Sequence, residues 1–329
     1  VAAADSPPRR WAGTAGPVVE PAPAKINLCL HVVGRRADGY HELDSLVVFG
    51  DIADEVRLDP HDGAVVLRLS GREAGGTNGG GAQVVPAGTS NLAWRALAVG
   101  ARHLGSVPGL TVTLEKRLPA GAGLGGGSSD AAAVLRALAR LAGCPTIPGA
   151  ETVSLGADVP MCLDPRPWRV RGIGERLSPL SLERDLPAVL VWPGRALSTP
   201  AVFAALAAGS AGGRYGTGNA IPDATIARFR QDPVGALQTL QNGLTEAACR
   251  VEPAVGEALS AVAGLDGCRL SRMSGSGSAV FGLFDALEDA TVGAEQLACR
   301  RPGWWVRATT LRAGGGLNRP PSTLRASNA

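Results

Sequence analysis

The sequence predicts an α+β protein in two units: a first α/β unit built around an anion-holding loop, and a second, ferredoxin-like α+β layer. Three observations predict it. The run Leu118-Pro-Ala-Gly-Ala-Gly-Leu-Gly-Gly-Gly-Ser-Ser-Asp130 joins a strand pattern at Leu110–Glu115 to a helical stripe of Val134, Leu135, Leu138 and Leu141. The second half reads as strand, helices, two strands, helix, strand, the order of a split βαβ layer. At 329 residues the chain is long enough for two cores.

The elements follow in order. Ala24–Val33 alternates, with Ile26, Leu28 and Leu30 on one side and Lys25, Asn27 and Cys29 on the other, as a strand requires. Gly34–Gly39 is a turn and Tyr40–Phe49 a returning strand. Val65–Leu69 is a further strand, and the glycine-rich Gly71–Gly88 a loop. Thr89, Ser90 or Asn91 caps a helix over Asn91–Leu104. After the glycine loop, Ser128 or Ser129 caps the Ala131–Leu141 helix, which Gly143 and Pro145 stop. Leu186–Trp192 is a strand, and Thr199-Pro200 opens a helix with threonine as cap and proline in the first helical position. Pro253–Leu265 and Glu288–Arg300 read as helices; Cys268–Met273, Ser278–Phe284 and Trp304–Leu311 read as strands. The units are placed at 23–163 and 164–311, between a disordered leader over 1–22 and a disordered tail over 312–329.

Composition excludes several function classes. With 45% hydrophobic and 19% charged residues the chain is ordinary for a globular protein, and its 45 glycines follow no Gly-X-Y period. A net charge of +3 is too small to argue for nucleic acid or an anionic membrane. Arg35-Arg36 and Lys116-Arg117 read as solvated surface charge. The leader, with Pro7-Pro8-Arg9-Arg10, lacks the apolar run of a secretory signal or a membrane span. Six cysteines (Cys29, Cys144, Cys162, Cys249, Cys268, Cys299) show no C-x-x-C pair and no histidine at metal spacing, which predicts reduced thiols in a cytoplasmic protein without structural zinc.

The glycine loop carries the chemistry. Five of its thirteen residues are glycine, so backbone amides can approach a ligand without a Cβ in the way. The helix start behind it adds unpaired N–H groups and positive polarity, and together they suit a polyanion such as nucleotide phosphates. Gly121-x-Gly123-x-x-Gly126 also matches the dinucleotide fingerprint in spacing. Against that, the preceding strand alternates, and the acidic ribose contact expected about 20 positions on is replaced by Leu141-Ala-Gly-Cys-Pro-Thr. A Walker loop fails for want of Gly-Lys-Ser/Thr, and a protein-kinase loop for want of its catalytic set. A glycine-rich turn with no ligand is the bland alternative.

Three segments in order narrow these readings: Pro23-Ala-Lys-Ile-Asn-Leu28, Pro119–Ala132 and Met273-Ser-Gly-Ser-Gly-Ser278. From Pro23 to Leu311 the chain resembles the GHMP kinases, the superfamily of galactokinase, homoserine kinase and mevalonate kinase. Gly34-Arg-Arg-Ala-Asp-Gly-Tyr-His41 and Leu155-Gly-Ala-Asp-Val-Pro160 resemble the branch acting on a cytidyl-bearing alcohol. The resemblance implies a two-domain kinase fold, with a nucleotide-binding first domain and a ferredoxin-like second one. It also implies transfer of the γ-phosphate of ATP, with Mg²⁺, to the 2-hydroxyl of 4-diphosphocytidyl-2-C-methyl-D-erythritol, by a monomer or homodimer, on the non-mevalonate route to isoprenoid precursors.

On that resemblance, Pro119, Gly121, Gly123, Leu124, Gly125, Gly126, Gly127, Ser128 and Ser129 hold the nucleotide, with Asn91 near its adenosine and Ser128 near the metal. Asp158 is the base and Lys25 stabilises charge beside it. A carboxylate is a weak base toward an alcohol, but it takes the proton late, as attack on phosphorus makes the hydroxyl acidic. Asn27 orients the substrate or the lysine. Tyr40 and His41 suit a cytosine, one by stacking and one by edge hydrogen bonds, and Phe203 is a second aromatic wall on the helix opened by Thr199. Each has a bland counterpart: helix capping for Asn91, Ser128 and Asp158, core packing for the aromatics, a solvated edge charge for Lys25. A different GHMP acceptor, a nicotinamide oxidoreductase and a non-catalytic RNA binder on the same fold are the competing functions.

Overall fold

The computed structural model describes residues 16–74, 85–86, 88–209 and 219–314. The leader up to residue 15, the centre of the expected 71–88 loop and the tail from residue 315 lie outside the described residues. The strands are β1 (Val18–Arg35), β2 (His41–His61), β3 (Val66–Ser70), β4 (Gly109–Glu115), β5 (Trp168–Gly172), β6 (Arg176–Pro179), β7 (Leu186–Trp192), β8 (Leu270–Met273), β9 (Val280–Leu283) and β10 (Trp305–Leu311). The helices are α1 (Leu92–Leu104), α2 (Gly126–Leu141), α3 (Gly149–Thr152), α4 (Val159–Leu163) and α5 (Thr199–Gly209) in the first two-thirds. They continue as α6 (Asp223–Phe229), α7 (Pro233–Gln238), α8 (Thr245–Val251), α9 (Ala254–Ala263) and α10 (Leu287–Arg300).

Strand β2 organises the first half: β1, β4 and β5 all pair with it antiparallel, β3 lies parallel to β4, and β6 pairs with β5. In the second half the order β10-β7-β9-β8, with every neighbour antiparallel, is the 4-1-3-2 order of a ferredoxin-like sheet. The two sheets meet through one residue pair, Leu311 with Gly50. Helices α1 and α2 lie on the first sheet, where Ala96, Leu97, Leu135 and Leu138 pack against Val56, Leu58, Val112 and Leu114. Burying one such leucine is worth about 1.5–3 kcal/mol, so the stripe read in the sequence anchors α2 and leaves its first turn to face outward.

Several sequence expectations need correction. The leader does not run to residue 22: β1 begins at Val18, paired with Leu58. Glu20 is buried there and bridged by Arg136 and Arg140, and Arg136 also donates to the carbonyls of Cys162 at 2.6 Å and Pro21 at 2.5 Å. The tail does not begin at 312: Arg312 N donates to Phe49 O at 2.8 Å, its guanidinium pairs with Asp51, and Ala313 N donates to Asp185 Oδ1 at 2.7 Å. Strands β5 and β6 were not anticipated, and they pair with the first half, so the change of sheet falls after Pro179 rather than at 163/164. The returning strand runs on to His61, and helices α6 to α8 were unforeseen. Thr199 is helical rather than a cap, and its hydroxyl lies 2.7 Å from Ser276 Oγ.

Arg136 gives the first prediction. Arg136→Ala removes the inner partner of a buried carboxylate and strands two carbonyls. The expected loss of unfolding free energy is about 3–5 kcal/mol, read by urea denaturation; a loss below about 1 kcal/mol would return β1's first residues to the status of a loose leader.

Candidate active site

The loop between β4 and α2 lines a cavity of about 370 Å³, together with Ser90, Asn91 and Lys116. Helix α2 starts at Gly126, earlier than expected, with Gly125 as N-cap at φ 67° and no side-chain cap bond. With no side chain folded back on them, the first-turn amides stay open to an anion. Neither serine is the cap. Ser128 lines the cavity, whereas Ser129 is fully buried and donates its hydroxyl to Pro23 O at 2.7 Å. Ser129 therefore ties α2 to β1 and drops out of the expected phosphate contacts. Asn91 does cap α1, accepting from Ala93 N at 2.8 Å, and it also lines the cavity.

Two glycines of the loop are irreplaceable by contact. A Cβ on Gly125 would lie 2.9 Å from Lys25 Cβ, and one on Gly123 would overlap the Gly277 carbonyl oxygen. Both also hold positive φ, 67° and 82°. Bare backbone thus lets β1 and the Ser274–Ser278 turn press onto the loop. Lys25 N donates to Leu124 O and Ala279 N to Ala122 O, both at 2.8 Å, and Asn27 N donates to Ser274 Oγ at 3.1 Å.

On the far side of that contact a second cavity of about 600 Å³ is lined by Lys25, Asn27, Tyr40, His41, Asp158, Thr199 and Phe203. The alternation read along β1 brings Lys25 and Asn27 to the same cavity, but it breaks at a register shift between Asn27 and Cys29: Leu30 lines this cavity, while Cys29 packs with Ile26 and Leu28. Lys25 Nζ lies 2.9 Å from Asp158 Oδ2, the lysine side chain 8% and the aspartate 37% exposed. Asp158 precedes α4 in the N-cap position but makes no side-chain cap bond, so its carboxylate is turned to Lys25 and the cavity. Asn27 is fixed by a relay. Ser45 Oγ donates to Cys29 O at 2.6 Å and accepts from Asn27 Nδ2 at 2.8 Å. That leaves Asn27 Oδ1 as a buried acceptor with no partner among the described residues. An unmet buried acceptor costs about 1–3 kcal/mol, which a ligand hydroxyl would recover.

The aromatic wall differs in detail from expectation. His41 itself stacks on Phe203, centroids 4.7 Å apart and planes at 23°, while Tyr40 stands 61% exposed at the mouth. Burial, and then the charge of Arg35, hold the His41 imidazole below its usual value, so the neutral ring faces the cavity near pH 7.

Sequence reading missed a charge cluster behind the glycine loop. Lys116, taken for a surface charge, is 3% exposed and bridges two carboxylates, Asp54 and Asp130, the latter at 2.7 Å. Asp54 Oδ1 also accepts from Arg117 N at 2.5 Å and Leu118 N at 2.8 Å, pinning the approach to the loop. Burial pushes Asp130 up to about 7, the attraction of Lys116 opposing it and the Asp54 charge adding to it. Burial alone would pull Lys116 down, but the two carboxylates hold it above the usual lysine value. One ammonium cannot balance two buried carboxylates, so Asp130 keeps its proton well above the usual range. An acid raised on folding stabilises the fold while protonated, and that contribution fades as pH climbs from about 4 toward the folded value of about 7. Asp130→Asn should flatten the fall in stability across that window, measured as wild type minus variant in urea at pH 4.5 to 7.5 (roughly the span between the two values). An identical pH profile in both proteins would show that Asp130 ionises as freely folded as unfolded.

Residues 91–163 match the family model of the GHMP kinases N terminal domain. The chain is 46% identical over 298 residues to the 4-diphosphocytidyl-2-C-methyl-D-erythritol kinase of Dinoroseobacter shibae, covering 90% of this chain and 96% of that one. It is 47% identical to the enzyme of the same name from Methylobacterium radiotolerans, covering 88% and 98%. Among solved structures, a 4-(cytidine 5'-diphospho)-2C-methyl-D-erythritol kinase superposes with a TM-score of 0.72 at 38% identity, covering 91% of this chain and all of that one. A wider likeness is confined to the fold: L. major mevalonate kinase superposes with a TM-score of 0.70 at 16% identity, covering 92% of this chain and 98% of that one. With paired cavities, an open helix start and a lysine–aspartate pair between them, and with relatives of this closeness over nearly the whole length, the chain belongs to the 4-diphosphocytidyl-2-C-methyl-D-erythritol kinases of the GHMP kinase family.

Proposed function

We propose that the protein transfers the γ-phosphate of ATP to the 2-hydroxyl of 4-diphosphocytidyl-2-C-methyl-D-erythritol, releasing ADP and the 2-phosphate. The observation that carries this reading is the Lys25–Asp158 pair, 2.9 Å apart, on the wall of a cavity that adjoins the glycine loop. In this reading the triphosphate rests on the amides of Gly121 to Ser128, and Asn91 and Lys116 flank the adenosine end of the same cavity. The first half of the chain holds the nucleotide; the second supplies α5 and the Ser274–Ser278 turn that close over the acceptor.

The acceptor hydroxyl lies against Asp158. Its oxygen forms a bond to the γ-phosphorus, the bond from that phosphorus to the β,γ-bridging oxygen breaks, and the hydroxyl proton passes to the Asp158 carboxylate. Lys25, held by its own amide to the loop, steadies the carboxylate before transfer and the negative charge on the attacking oxygen during it. Asn27 Oδ1 accepts from a substrate hydroxyl. The cytosine is read beside Tyr40, His41 and Phe203.

A nucleotide-borne Mg²⁺ fits the donor set. Among the described residues no group of three or more His, Cys, Asp or Glu is placed to hold a metal. Such an ion keeps waters and phosphate oxygens and asks little of the protein, and Ser128 supplies one hydroxyl in the cavity. When bound, it neutralises charge on the phosphates. Among the described residues no helix is long and apolar enough to cross a membrane. A cytoplasmic location, where ATP and reduced thiols are found, goes with the reading.

The decisive assay is ADP release across a panel of alcohols. Turnover with the cytidyl-erythritol compound, and none with mevalonate or homoserine, is expected; the reverse would move the protein to another acceptor. Asp158→Asn should lower kcat by about 10²–10⁴-fold and Lys25→Ala by about 10²–10³-fold, with ADP affinity nearly unchanged in both. Wild-type turnover in either would remove that residue from the chemistry. Phe203→Ala and Tyr40→Ala should raise KM for the cytidyl substrate and leave KM for ATP alone.

A further inference from the structure

Resting on the substrate class just given, we infer that Arg35 is a specificity-determining residue, the cation that receives the diphosphate of the cytidyl substrate. The geometry begins with strand register. Arg35 on β1 pairs directly with His41 on β2, and cross-strand partners project from the same face of a sheet. The turn between them is tied by Arg36 N donating to Tyr40 O at 2.7 Å and Gly39 N donating to Arg36 O at 3.0 Å. Arg35 therefore stands beside the ring that stacks on Phe203, and it lines the same cavity. Its charge reaches that ring, since it is one of the two causes that lower the His41 imidazole.

Charge balance separates Arg35 from its neighbours. Arg36 is paired with Asp38 at 3.0 Å, and Arg176 with Glu42 at 2.8 Å. Lys25, the other cation in the cavity wall, is committed to Asp158. Arg35 makes no ion pair among the described residues, and its hydrogen bond from Nε to Gly39 O is a long one, at 3.4 Å. An exposed guanidinium with spare donors, facing an aromatic cytosine site, matches a diphosphate attached to a cytidine. Guanidinium presents a planar fork that binds phosphate oxygens in pairs. The base would be held at His41 and Phe203, the diphosphate at Arg35, and the alcohol delivered to Asp158 at the opposite end of the cavity.

The test uses cytidine and CDP as competitors against the cytidyl substrate, in wild type, Arg35→Gln and Arg35→Lys. Arg35 is exposed, so neither variant should disturb folding, which a matching Tm verifies. In wild type CDP should inhibit more strongly than cytidine. In Arg35→Gln the inhibition constant for CDP should rise about 10–100-fold, with cytidine unchanged within about twofold. KM for the substrate should follow CDP, kcat at saturation and KM for ATP should hold, and Arg35→Lys should recover part of the loss. An unchanged CDP-to-cytidine ratio in Arg35→Gln overturns the assignment while leaving the substrate reading intact. An equal loss for both competitors also overturns it, because Arg35 would then act by propping His41. Should wild type neither turn over the cytidyl compound nor bind CDP, the substrate reading fails and this assignment falls with it.

Discussion

Three stretches of chain, each far from the others in sequence, meet on the main chain of one loop. β1 donates to it through Lys25 N, the turn before β9 donates to it through Ala279 N, and α2 leaves it through an uncapped first turn. These contacts are backbone to backbone, and they are close because Gly123 and Gly125 carry no Cβ where one would strike Gly277 or Lys25. The same bareness that leaves amides open to the first cavity on one side lets the protein approach on the other. A side chain at either position would separate the two cavities from each other before it ever met a ligand. Positioning a carboxylate, an ammonium and a phosphate within one reaction distance is the larger part of what phosphoryl transfer asks of a protein.

Two lysine clusters flank this loop, and accessibility separates their roles. Lys25 faces one carboxylate that is 37% exposed, so a ligand in the second cavity can reach it. Lys116 faces two carboxylates that are almost sealed from solvent. Desolvating that cluster is costly, and a proton retained on Asp130 lowers the cost by leaving one negative charge for one positive. Asp54, through its bonds to the Arg117 and Leu118 amides, converts that buried charge into a fixed approach for the loop. A cluster of this kind positions the loop from behind, while the Lys25–Asp158 pair stands on the wall of the open cavity in front.

Local patterns in the sequence foretold the parts of this structure that depend on neighbours along the chain. The period-two alternation of β1 put Lys25 and Asn27 on one face, the apolar stripe of α2 set its buried side, and Asn91 was readable as a cap because capping is a three-residue matter. What escaped depends on partners far away. β5 alternates only over the short run Trp168-Arg-Val-Arg171 and is fixed as a strand by pairing with β2, and β6 in turn pairs with β5. Lys116 looks like any lysine after a strand until Asp54 and Asp130 arrive from 62 and 14 positions away. Ser129 has a cap's chemistry and a cap's spacing, yet Pro23 O, 106 positions distant, claims its hydroxyl. The leader boundary failed for the same reason: Val18 to Ala22 are held by Leu58 to Asp54 and by Arg136. The pairing of Lys25 with Asp158, separated by 133 positions, was reachable only through resemblance to relatives.

Because the cradle is main chain, it cannot by itself choose an acceptor. Mevalonate kinase and homoserine kinase share this fold at 16% identity, so the architecture tolerates almost complete replacement of side chains around the same backbone path. Selection must then come from side chains that project into the second cavity without helping to build the loop. In this chain those are contributed by the β1–β2 turn and by α5, which meet where His41 stacks on Phe203. The turn is anchored to β2, and β2 pairs with β1, β4 and β5, so this wall of the second cavity sits on a strand paired on both sides. α5 meets the loop region through the Thr199–Ser276 hydroxyl contact and shares a core with β1, where Val202 and Leu206 lie in one cluster with Leu30 and Val32. Both walls of the second cavity are therefore tied to β1, one by strand pairing and the other by apolar packing.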